Sequence, residues 1–162
     1  MLNRWFVPFL VAALGVAPLA GASADPTQAA TPVGTHLLMF ERAVKWEVVS
    51  KKWAAIRDGW MSDVASAENP ADLAEATLAL ESHMDWSSVE AAWKKRRASW
   101  VEDVKHTSTM REAAALLLEL EANTLWSAVQ PAWKDHRDVW VKGLTKIAEG
   151  GVSKSGGKTR ID

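Results

Sequence analysis

Nine tryptophans recur on a fixed period: Trp46, Trp53 and Trp60 are followed 40 residues later by Trp86, Trp93 and Trp100, and 40 later again by Trp126, Trp133 and Trp140. Four other positions keep the same register without a gap: Leu38, Leu78, Leu118; Glu41, Glu81, Glu121; Val49, Val89, Val129; and Arg57, Arg97, Arg137. Seven fixed positions in every 40 residues define an internal triplication. A repeat of this length is one supersecondary unit that cannot bury its apolar face alone, so neighbouring copies must complete its core. This constrains architecture strongly and leaves function open.

Within each copy the pattern predicts helix, corner, helix. Asn69-Pro70-Ala71-Asp72 supplies an N-cap, a proline at the first helical position and an acid in the first turn. Thr109-Met110-Arg111-Glu112 has the spacing of a capping box. The first copy shows neither device, and its helix is expected to start between Pro32 and Thr35. On the helix after Thr109, Ala114, Leu117, Leu118 and Glu121 fall on one face. Ala74, Thr77, Leu78 and Glu81 repeat that face, as do Gly34, Leu37, Leu38 and Glu41. A glutamate therefore recurs inside an apolar stripe.

The second helix carries Trp53, Arg57, Trp60 and Val64, which span an arc of about 60° at 100° per residue. Trp93, Arg97, Trp100 and Val104 match it, then Trp133, Arg137, Trp140 and Leu144. Pro131 places the start of this helix, because proline is tolerated in a first turn and breaks an interior. Ser50 is the expected N-cap in the first copy. The first tryptophan of each triplet then sits in the corner. The fold class is all-α: six helices in three hairpins, stacked as a short solenoid or a compact bundle.

Residues 1–24 read as a cleavable signal peptide: a short positive start at Met1 to Arg4, an apolar stretch from Trp5 to Leu19, and Ala22-Ser23-Ala24 as a small-x-small cleavage site. The competing reading is a retained anchor, but roughly 20 apolar residues are needed to span a bilayer, and this stretch is shorter and interrupted by Pro8 and Pro18. Residues 25–34 form an expected flexible lead-in, 35–149 the helical domain in repeats of about 30–69, 70–109 and 110–149, and 150–162 a disordered Gly- and Lys-rich tail. The domain is thus expected to be exported, to the periplasm or beyond the cell, with no stable membrane span after cleavage. The absence of cysteine leaves packing alone to hold it and rules out thiolate zinc sites.

Beyond the signal, 18 Lys and Arg face 20 Asp and Glu, which gives no support to a nucleic-acid partner. Of the run Lys94-Lys95-Arg96-Arg97 only the last arginine persists in both other copies, so it reads as a solvated helix face. His36, His83, His106 and His136 occupy unrelated repeat positions without metal-ligand spacing, and no nucleophile motif or phosphate loop is present. No catalytic residue, cofactor or metal is expected, and the chain reads as a non-enzyme.

Three sets of residues remain. Trp53, Trp60, Trp93, Trp100, Trp133 and Trp140, with Leu38, Leu78 and Leu118, are the expected repeat core, since indoles on one helical stripe bury large apolar areas. Glu41 with Arg57, Glu81 with Arg97 and Glu121 with Arg137 are expected as ion pairs within each repeat, because charges in apolar stripes need partners. Trp46, Trp86 and Trp126 form a possible ligand row. The primary functional expectation is a protein-interaction or scaffolding module with a partner in the cell envelope or outside it. The alternative is a binder of glycans or small aromatic or apolar ligands through those corner indoles, and a water-facing row is expected to raise that alternative above scaffolding.

Overall fold

The computed structural model describes residues 28–150; the residues read as a signal peptide, the start of the expected lead-in and nearly all of the expected tail lie outside them. Six α-helices follow in order: α1 Pro32–Ala43, α2 Trp53–Ser66, α3 Pro70–His83, α4 Trp93–Lys105, α5 Met110–Ala122 and α6 Trp133–Ala148. Single 3-10 turns at Trp46–Val48, Trp86–Ser88 and Trp126–Ala128 form the corners of the three hairpins. No strand occurs among the described residues.

The hairpins close into a compact bundle rather than an open stack. The helices α1, α3 and α5 all touch one another, and each packs against its own hairpin partner and the second helix of the preceding hairpin. The closure is visible in the hydrogen bonds, which repeat at 40-residue intervals and then return to the start. Trp60 Nε1 donates to the Ala76 carbonyl at 3.0 Å, Trp100 to Leu116 at 3.2 Å and Trp140 to His36 at 2.9 Å. The corners obey the same rule: Ser50 N donates to His83 O, Glu90 N to Asn123 O and Gln130 N to Ala43 O. Isolated antiparallel bridges join Val49 to Met84, Val89 to Thr124 and Val129 to Val44. Each hairpin therefore gives to the next what it takes from the previous one, around a pseudo-three-fold axis.

Indoles make up much of the core. Trp53, Trp60, Trp93, Trp100, Trp133 and Trp140 are all buried, and the two in each repeat meet edge to face, with ring centroids 5.1 to 5.4 Å apart. Each removes on the order of 150–250 Å² from water, roughly 4–6 kcal/mol at ~25 cal/mol per Å² before the loss of conformational entropy. Leu38 is buried with them, whereas Leu78 and Leu118 are half-buried at the core's edge. Leu73, Leu80, Leu117 and Leu120 are fully buried between the first helices.

The helix starts differ in two places from the sequence reading. Thr31 is the N-cap of α1, its hydroxyl accepting from Gly34 N at 3.1 Å, with Pro32 at the first position. The first copy thus has a cap like those of Asn69 and Thr109, set two residues later in the repeat, and the first turn of α1 occupies part of the expected lead-in. Ser50 does not cap α2 through its side chain. Its backbone carbonyl accepts from Trp53 N at 2.9 Å in a turn that Glu90 and Gln130 reproduce, and its buried hydroxyl has no partner. The turn is built by backbone bonding, which does not need a capping side chain. Pro131 lies in that turn, just ahead of α6.

The closing junction brings the end of α6 against the start of α1: a Cβ at Gly143 would lie 2.8 Å from the His36 ring. The equivalent links α2–α3 and α4–α5 span only residues 67–69 and 106–109. A circular permutant that joins Ala148 to Thr31 through a linker of similar length, about four residues, and opens the chain between Ala67 and Asn69 should fold to the same bundle. Its circular dichroism and tryptophan emission should match those of the parent. A permutant that is unfolded or oligomeric would contradict the closed arrangement.

Candidate functional site

Each repeat builds one polar constellation into its apolar seam. Glu41, on α1, is buried, and its carboxylate accepts from Trp53 Nε1 at 3.1 Å and from Arg57 Nε and Nη2 at 2.6 and 2.8 Å. Glu81 does the same with Trp93 at 3.0 Å and Arg97 at 2.7 Å on both nitrogens. Glu121 receives Trp133 at 3.3 Å and Arg137 at 2.5 and 2.8 Å. The spacing follows from the helix phase: Trp53 and Arg57 are one turn apart on α2, so both reach the same carboxylate on α1. Two-pronged guanidinium bonding to a carboxylate is the geometry that arginine offers and lysine does not. The hydrogen bond to Glu41 raises the Arg57 pKa above the ordinary guanidinium value against the opposing effect of burial, and Glu81 and Glu121 do the same for Arg97 and Arg137.

The same arginines carry the corner. The Arg57 guanidinium stands over the Trp46 ring at 5.4 Å, Arg97 over Trp86 at 5.8 Å and Arg137 over Trp126 at 5.5 Å. In the second and third repeats Lys94 and Lys134 add an ammonium at 5.6 and 5.7 Å; the first repeat has Ala54 at that position. Each corner indole is thus fixed by a cation that a buried carboxylate holds in place. Trp46, Trp86 and Trp126 are nevertheless 53%, 50% and 51% exposed, the same degree in all three copies. The spaces beside Trp86 and Trp126, lined in part by Glu81 and Arg97 or by Glu121 and Arg137, are only about 50 and 70 Å³. They admit water and not an enclosed ligand, for which pockets of about 300 Å³ or more are usual.

The remaining sequence candidates are dispersed. His36, His83 and His106 each place Nδ1 2.7 to 2.8 Å from the carbonyl four residues earlier, and His136 is exposed on α6. The basic run on α4 splits by helix phase. Lys94 lies over Trp86, Arg97 binds Glu81, and Arg96 pairs with Glu119 at 2.6 Å and Asp103 at 2.8 Å. The link from arginine to corner tryptophan is not among the sequence expectations, although its signal, the 11-residue offset from Trp46 to Arg57, recurs in every copy.

Residues 34–88 match a family model described as a domain of unknown function (DUF8799). The matched segment holds the whole first hairpin after its opening turn, together with α3 and the second corner, so it includes one complete hairpin-to-hairpin junction. No curated protein and no solved structure matches the chain.

Removing one carboxylate leaves a guanidinium and an indole N–H without their acceptor. Glu81→Ala should lower unfolding stability by about 3 kcal/mol, in the range for breaking a buried ion pair. Glu81→Gln, which keeps an acceptor for Trp93, should cost less. Urea unfolding measures both, and an Ala variant as stable as the parent would show that the pair contributes nothing.

Proposed function

We propose that this protein is a non-catalytic binding module whose contact points are the three corner tryptophans, and that its target is a protein of the cell envelope or the surrounding medium. The equal half-exposure of Trp46, Trp86 and Trp126, each braced by an arginine, supports a contact surface and is also what the glycan alternative expects; a protein target is preferred because the residues flanking the three rings differ from corner to corner. Leaving one large indole in water is ordinary; repeating the same exposure on a rigid mount in three copies is what a contact surface requires. Tryptophan beside arginine is also the composition enriched at interface hot spots. A ring already held by its cation loses little rotamer freedom on binding.

The residues beside the rings favour a protein over a repeated sugar unit. The flanking pairs are Lys45 and Glu47, Asp85 and Ser87, and Leu125 and Ser127, so the three corners share an indole and an arginine but no common set of polar neighbours. A glycan binder is supported as a second reading by the open faces themselves, because sugar rings stack on exposed indoles without needing an enclosed pocket. Export rests on the signal-like residues 1–24, and the envelope location of the partner rests on export.

The triple variant Trp46→Ala, Trp86→Ala and Trp126→Ala should keep the helical spectrum, since these rings lie outside the buried core, and should lose binding. Cross-linking capture of envelope proteins by the parent and the triple variant, run beside fluorescence titration with envelope polysaccharides, tests the reading. A protein held by the parent and lost by the variant supports it. Polysaccharide quenching that depends on the corner rings, without such a protein, transfers support to the glycan. A partner retained equally by the triple variant overturns both.

A further inference from the structure

The three hairpin junctions are equivalent by the repeat, but the space beside the first tryptophan of the second helix is filled differently in each. At the first junction the His83 imidazole lies against Trp53, with ring centroids 5.2 Å apart. At the second, Asn123 stands at the corresponding position, and Arg96 reaches across from α4 to Glu119 of α5. At the closing junction the corresponding residue is Ala43, while Met39 and His136 take the places of Glu119 and Arg96 and form no ion pair. The result is a groove of about 300 Å³ walled by Met39, Ala43, Ala132 and Trp133. Trp133 is 5% exposed where Trp53 and Trp93 are 1% and 0%.

We propose that this groove is a binding site for a small aromatic carboxylate. The ring is argued from the molecule's own filling of the same place: an imidazole fits beside Trp53, whereas Trp133 meets the buried Phe40 ring on its inner side, centroids 6.0 Å apart, and Ala43 leaves its outer side to a ring from outside. The lining is mainly apolar carbon, and tilted or edge-on aromatic contact with Trp133 is the favoured geometry there. The charge is argued from the lining. Arg42 and His136 are its ionisable groups, both exposed, and no carboxylate lines it. A guanidinium beside an apolar slot selects a planar ring bearing a carboxylate over a neutral or cationic ring. Gln130 supplies a further amide for the ligand's oxygens. The site lies apart from the corner indoles, and its existence does not depend on what they bind.

The test follows the Trp133 indole Nε1–H resonance of the full-length chain during titration with phenylacetate, cyclohexylacetate and 2-phenylethanol. Phenylacetate should give a saturable shift with a Kd of about 1 mM or tighter, and the other two should bind at least several-fold more weakly. Ala43→His places in the groove the residue that the first junction already accommodates, so it should fold and should lose phenylacetate binding. Arg42→Gln, at an exposed position, should weaken phenylacetate several-fold and leave 2-phenylethanol unchanged, and it decides the matter should the histidine variant not fold. No saturable shift in the parent, or equal affinity in parent and Arg42→Gln, overturns the proposal.

Discussion

The buried glutamate of each repeat is the interaction on which the rest depends. A carboxylate within an apolar seam is costly unless its oxygens are occupied. Here two guanidinium hydrogens and one indole hydrogen occupy them in all three copies. That single requirement fixes several things at once. It sets the rotation of the second helix against the first, because Trp53 and Arg57 must both point at Glu41. It anchors one indole of the core by its polar edge. It also spends the arginine's remaining face on the corner tryptophan, so the exposed ring inherits its orientation from a group buried a helix away. Packing and surface are therefore not separate designs in this fold.

The parts of the structure visible in the sequence are those repeated within it. Helix phase placed six indoles on one stripe because the stripe had to hold three times, and it brought the glutamate and arginine rows to notice because charges kept recurring among apolar residues. Leu78 and Leu118 show the limit of that logic: a residue can keep its register and its hydrophobic character and still lie at the edge of the core, since the neighbouring hairpin decides how deeply it is covered. The cap at Thr31 sits two residues out of register with Asn69 and Thr109, so the repeat does not point to it. Ser50 had the right chemistry for a cap, but the turn there is already satisfied by its own backbone carbonyl.

Other features depend on contacts that periodicity does not encode. Closure rests on Trp140 meeting the carbonyl of His36, more than a hundred residues away, and an open stack of the same three hairpins would present an identical pattern. The exposure of the corner indoles is likewise a matter of what covers them. The groove at the closing junction is legible only by comparing the three junctions, because it arises from Ala43 standing where His83 and Asn123 stand elsewhere. Variation at an otherwise equivalent position is informative once the geometry of equivalence is known.

The circuit of hairpin bonds also determines how many copies the chain can contain. Each junction is head to tail, and three turns of the same step return to the origin, leaving neither a bare first face nor a bare last one. An open array needs dissimilar terminal units to seal its ends and tolerates gain or loss of a middle unit. A sealed ring needs no such units and tolerates no change of number, because a fourth hairpin would have no vacant place and a missing one would expose two apolar faces together. The seven positions shared by all three copies, the first and the last included, are then a direct result of arithmetic around an axis.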